Sequence, residues 1–196
     1  MNRIIISATV GKGTPELQFH PGINILWGQN AEDVILTLAG IFGGMPLRAF
    51  EAVLHWQAGV MLFVSGEDGQ VFVNKIKKEQ GDSAQWMKKF HKQRFLNFRN
   101  QAHILDGSDL PEGTAGASEL LLKKLGDTLA QKEDRPLFII NLLERLDEAV
   151  DLQPIFEALN ATGRQVFIAV PNYKKEEVQN YGTSIYCESN FRQHIG

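Results

Sequence analysis

The chain has 196 residues, of which 43% are hydrophobic and 22% charged, and carries a formal net charge of −3. That length supports one domain with a sizeable core, and that composition excludes disordered, collagen-like and disulfide-stapled classes. The mild negative charge provides no global field for nucleic acid or membrane, and the single cysteine, Cys187, builds neither a disulfide nor a zinc site.

Such cysteine usage fits a reducing cytoplasm. The first apolar stretch, from Ile4 to Val10, is interrupted by Ser7 and Thr9, so it supplies no signal-peptide core. No run reaches the length of a membrane span, and a soluble cytoplasmic protein without membrane partners is expected.

Residues 3–10 and 16–20 read as strands around the turn cluster Gly11-Lys12-Gly13-Thr14-Pro15. Lys12 lacks the upstream glycine of a phosphate loop and precedes no helical pattern, so this cluster reads as a hairpin turn. After Pro21-Gly22, the run Ile23-Asn24-Ile25-Leu26-Trp27 has the character of a buried strand, broken by Gly28-Gln29-Asn30. Val34, Ile35, Leu38 and Phe42 then share one face of a predicted helix over 33–42, which stops at Gly43-Gly44. A short helix is predicted over 47–56. Residues 60–65 and 70–75 flank Gly66-Glu67-Asp68-Gly69 as a hairpin.

Residues 76–83 form a polar connection, 85–100 are basic with interleaved aromatics, and 106–116 read as loop. The last third is more regular. A helix is predicted over 118–131 with Ser118 as its N-cap and Glu119 in its first turn. A strand over 137–140, a helix over 151–161, a strand over 166–170, a short helix over 174–180 and a strand over 183–187 follow. This alternation predicts an α/β fold whose sheet is mostly parallel, with crossover helices on its faces.

Strand, glycine turn and helix in that order are the parts of a phosphate-binding P-loop, which aims backbone N–H groups at an anion. The stretch Phe19-His20-Pro21-Gly22-Ile23-Asn24-Ile25-Leu26-Trp27-Gly28-Gln29-Asn30 resembles the run into Walker A in ABC-type ATPases. Within that group it is most similar to structural-maintenance-of-chromosomes (SMC) heads and RecF-type recombination ATPases. Gly116-Ala117-Ser118-Glu119-Leu120 resembles their signature loop, and Leu137-Phe138-Ile139-Ile140-Asn141 their Walker B strand. Leu146-Asp147 resembles the D-loop, and the strand ending in Pro171-Asn172 the one that carries the switch histidine. The resemblance implies a single head-like domain over 1–196, a P-loop NTPase-like α/β/α sandwich with an antiparallel side sheet from 3–20 and 60–76. It also makes 76–116 an inserted connection where relatives carry a long coiled coil.

The chain departs from the pattern at the groups that act on nucleotide. Gly28, Gln29 and Asn30 keep the start of the loop, but Ala31 and Asp33 stand for glycines, Glu32 lies between them, and Val34 stands for the phosphate-binding lysine. Ile35 and Leu36 stand for the hydroxyl residues that would hold magnesium. Carboxylates at 32 and 33 would repel a triphosphate by about 4 kcal/mol per close pair at an intermediate dielectric. Asn141 replaces the metal-binding aspartate, Leu142 the catalytic glutamate and Asn172 the switch histidine. The expectation is a pseudo-ATPase without catalytic residues, metal or cofactor, acting as a binding or regulatory module. The alternative is an atypical ATP-binding protein or ATPase linked to DNA repair, with ATP and magnesium as cofactors.

Ordinary readings stand beside these. Gly28 to Asn30 read first as a strand-to-helix corner, with a ligand role as the residual reading, and Glu32 and Asp33 as first-turn acids that favour the helix dipole or suit a basic partner. Glu144, Asp147, Glu148 and Asp151 read as a solvated flank. Lys88, Lys89, Lys92 and Arg94, with Trp86, Phe90 and Phe95 among them, suit either an amphipathic helix or a nucleic-acid contact. Because the resembled heads work as dimers, the expected partner is a second copy or a related active ATPase.

Overall fold

A computed structural model describes residues 4–10, 15–43, 50–56, 60–67, 70–77, 102–110, 116–131 and 134–188, with the backbone alone between 50 and 77. The chain runs β1 (Ile5–Val10), β2 (Leu17–Gln18), β3 (Ile23–Trp27), α1 (Ala31–Gly43), β4 (Phe50–Trp56), β5 (Val60–Glu67) and β6 (Gln70–Lys77). It continues with β7 (His103–Asp106), α2 (Ala117–Ala130), β8 (Leu137–Ile140), α3 (Gln153–Ala161), β9 (Val166–Ala169), α4 (Lys175–Val178) and β10 (Thr183–Tyr186).

Two sheets result. The main sheet has the order β10-β3-β9-β8-β7 and every pairing in it is parallel. The second, β2-β1-β4-β5-β6, is antiparallel. A parallel sheet covered on both faces needs strands apolar on both faces, which explains the unbroken runs at β3, β8 and β9. In β8, Phe138 and Ile140 face the core shared with α1 and β1, while Leu137 and Ile139 face the core shared with α2 and α3. Phe167 of β9 stacks on Phe138 at 4.9 Å and meets Phe19 edge-on at 5.0 Å, tying the connection before β3 to the same core.

Polar side chains join the sheets where strands begin. Gln165, 3% exposed, accepts the Ile5 N–H at 2.8 Å and donates to the Ile5 carbonyl at 2.7 Å and the His20 carbonyl at 2.9 Å. Its amide thereby acts as a ladder partner for β1 at the entrance to β9. Asn24, fully buried in β3, accepts the His20 N–H at 2.6 Å and donates to the carbonyls of His20, Gly22 and Val166. Buried amides left without such partners would each cost about 1–3 kcal/mol.

Three expectations change. The helix expected over 47–56 is the strand β4 from Phe50 to Trp56, with ladder partners in both β1 and β5, so tertiary pairing overrides its helical spacing. β4 also lies inside the side sheet expected from 3–20 and 60–76 alone. The stretch 76–116, expected as a connection, contains β7, an edge strand paired with β8. Residues 11–14 and 78–101, with the expected hairpin turn and basic segment, lie outside the described residues. The hairpin of β5 and β6 forms as expected and is longer at both strands. Among the described residues, no helix is long and apolar enough to cross a membrane.

Candidate functional site

Because the main sheet is parallel, the carboxyl ends of its strands meet along one rim, where open α/β sheets commonly bind ligands. The connections after β3, β7, β8, β9 and β10 form this rim.

The corner after β3 is short. Trp27 ends the strand and Ala31 already begins α1, two residues before the predicted start. Gly28 has φ 104°, and a Cβ on it would lie 2.7 Å from the Cys187 carbonyl oxygen and 2.7 Å from the Tyr186 ring, so glycine is needed there. Three backbone donors of this corner have acceptors within the chain. Gly28 N–H donates to Asn172 Oδ1 at 3.1 Å, Asn30 N–H to the Cys187 carbonyl at 3.3 Å and Ala31 N–H to the Gly28 carbonyl at 3.3 Å. Asn30 in turn accepts the Val34 N–H at 3.0 Å, closing the first helical turn. Gln29, Glu32 and Asp33 are exposed, whereas Ala31 and Val34 are buried in the core with Val10, Leu38 and Phe42.

At the end of β8, Asn141 adopts φ 53°, a conformation asparagine tolerates, and its Nδ2 donates to Ser108 Oγ at 2.7 Å. Gly107 lies directly beneath it; an added Cβ would come within 2.2 Å of the Asn141 carbonyl oxygen. Leu142 is 1% exposed and packs into the core. The next carbonyl, of Leu143, accepts from Lys174 Nζ at 2.9 Å. Glu144 is exposed, yet partial burial of its carboxyl lifts its pKa above the ordinary value, the Glu32 carboxylate adds to the lift, and its own backbone N–H, Lys174 and Arg145 oppose it. A carboxyl raised by folding stabilises the native state only while protonated, and that contribution fades as pH rises through its folded value. Glu144→Gln is therefore expected to stabilise the chain at neutral pH, by less than about 1 kcal/mol at this exposure, and to lose the advantage below the carboxylate range. Urea midpoints measured at both pH values check this.

Ser118 is not the N-cap. The helix α2 opens from Gly116, at φ 71°, and Ser118, 7% exposed, accepts the Asp147 N–H at 2.8 Å through its Oγ. Its hydroxyl is thus spent on holding the turn after β8, while Glu119 remains exposed in the first turn.

The structure therefore brings Gly28 together with Asn172 and ties Ser118 to Asp147. Lys88, Lys89, Lys92 and Arg94 lie outside the described residues. Sequence reasoning missed the aromatic group beside Gly28: Lys175 Nζ lies 3.6 Å from the centroid of the Trp27 ring, and Tyr186 packs on Trp27 at 4.6 Å. The only signal available was the placement of aromatic residues next to the glycine and in the last strand. Among the described residues, no group of His, Cys, Asp and Glu is placed to hold a metal ion.

Comparison with solved structures bears on the fold. The SMC head domain from Thermotoga maritima superposes with a TM-score of 0.58 at 9% identity, covering 94% of this chain and 99% of that one. The fold is SMC-head-like. No protein-family model and no curated protein matches the chain. At such identity the likeness is one of architecture, an ATPase-like α/β fold, and fold alone does not carry activity.

Proposed function

We propose that the chain is a non-catalytic binding or regulatory module built on an ATPase-head fold, one that neither binds nor hydrolyses Mg-ATP. The observation that supports this most is the corner after β3. A phosphate cradle needs a loop of free, converging N–H groups. Here three residues separate strand from helix, and the N–H groups of Gly28, Asn30 and Ala31 are directed to acceptors of the chain itself.

The side chains argue in the same direction. Val34, at the position of the phosphate-binding lysine, is 2% exposed and directed into the core, and Leu142, at the position of the catalytic glutamate, is 1% exposed. Exposed Glu32 and Asp33 oppose a polyanion at the same corner. The stretch between Lys77 and Ala102 is too short for the long coiled coil of the resembled heads, so long-range tethering is not part of this reading. A second copy or a related active ATPase is the partner that the fold suggests.

Isothermal titration calorimetry with ATP, with and without magnesium, tests the reading on the full chain. No heat of binding and no thermal shift are expected. A micromolar dissociation constant would replace it with the alternative, an atypical ATP-binding head.

A further inference from the structure

The main sheet ends in β10 and β7, and the side sheet in β2 and β6. An open edge presents unpaired backbone donors and acceptors, and natural edges are guarded by charge, by shortness or by a cover. β6 carries Lys75 and Lys77, β7 carries His103 and Asp106, and β2 is only two residues long. β10 has none of these charges. It reads Thr183-Ser184-Ile185-Tyr186, with Thr183, Ser184 and Tyr186 exposed and Ile185 buried. β-Branched and aromatic residues of this kind favour strand pairing.

Only one side of this strand's backbone is used. The Cys187 N–H donates to the Trp27 carbonyl at 2.8 Å, and the Cys187 carbonyl accepts the Asn30 N–H at 3.3 Å. Both groups therefore face β3 and the corner after it. Backbone direction alternates along a strand, so Ile185 faces β3 in the same way, in the parallel register that pairs it with Leu26. Ser184 and Tyr186 then aim their N–H and carbonyl groups off the open edge. Among the described residues no strand lies beyond β10 to meet them.

We infer that β10 is an interface strand, which pairs antiparallel with β10 of a second copy of this chain and joins the two main sheets into one. A two-fold axis through Ile185 sets Ser184 of each copy opposite Tyr186 of the other, and each such pair exchanges both of its hydrogen bonds. The strand is complementary to itself in charge as well. Exposed Glu188 falls opposite Gly182 of the second copy, so no like charges meet between 182 and 188. Main-chain bonds supply the affinity in this mode of association. The pairing uses the sheet edge and not the loop after β3, so it goes beyond the proposed function and is independent of nucleotide binding.

Sedimentation velocity of the full chain over a concentration series, with amide hydrogen exchange read by NMR, tests this. A dimer is expected, with the Ser184 and Tyr186 amides protected only at concentrations where it forms. Ser184→Pro removes an outward N–H and leaves the bonds to β3 in place, a position at which an edge strand tolerates proline. It should weaken dimerisation at least tenfold. Ser184→Lys, which adds a charge to the exposed edge, should do the same, and it keeps the test decisive where the proline variant fails to fold. A monomer at every concentration, a dimer that both variants form as well as the parent, or a dimer whose protected amides lie elsewhere would overturn the inference. So would protection of Ser184 and Tyr186 that does not vary with concentration, the sign that residues 189–196 of the same chain occupy the edge. Binding of Mg-ATP in calorimetry would remove the non-catalytic reading and leave this result untouched.

Discussion

Lysine in place of Val34 is expected to destabilise the chain by about 4 kcal/mol or more and to bring no binding of Mg-ATP, although it restores the residue type of a phosphate loop. The position lies on the first turn of α1 and is directed into the core between β1 and the main sheet. An amine there must either be desolvated as a cation or give up its proton, and either route costs folding energy. Phosphate would approach from the rim, on the side away from this side chain. Urea unfolding followed by circular dichroism, together with calorimetry against Mg-ATP, measures both halves of the expectation. A Val34→Lys variant as stable as the parent that gained nucleotide affinity would mean that the corner after β3 rearranges into a cradle, and the proposed function would fail with it.

The second large effect is expected at Gln165. Its amide serves both backbone groups of Ile5 and the carbonyl of His20, so Gln165→Leu leaves a buried donor and acceptors unmatched while changing volume little. A loss of about 3 kcal/mol is expected, since each stranded buried group costs roughly 1–3 kcal/mol. Gln165→Glu keeps an acceptor for the Ile5 N–H but sets carboxylate oxygens against two carbonyls, so it should be no better at neutral pH. Both are measured as shifts in the urea midpoint. A neutral Gln165→Leu would show that the main and side sheets are held together by apolar packing alone.

How legible this was varied with the physics of each element. The β3-to-α1 unit could be read because an apolar strand, a glycine and a helical face follow one another without interruption, each signal local. α1 starts two residues before the predicted position because the apolar face that marks the helix begins only at Val34, and Ala31 and Glu32 carry no periodic signal. In β4, Phe50, Val53 and Leu54 fall at helical spacing, and only the two ladder partners, distant in sequence, decide for strand. β7 is four residues long at a sheet edge, too short for any periodicity. At the site, the identities at 34, 142 and 172 were plain in the sequence, but the partners of Gly28, Ser118 and Trp27 come from elements far along the chain. Such partners carry no local signal.

Cys187 closes the corner from below, its carbonyl accepting from the Asn30 N–H, and the residue is 1% exposed. Burial pushes its thiol up to about 12, so at neutral pH the thiolate that oxidants and electrophiles attack is scarcely populated. The chain's only sulfhydryl is therefore expected to react slowly with thiol reagents while the chain is folded, leaving the corner it supports outside the reach of mild oxidants.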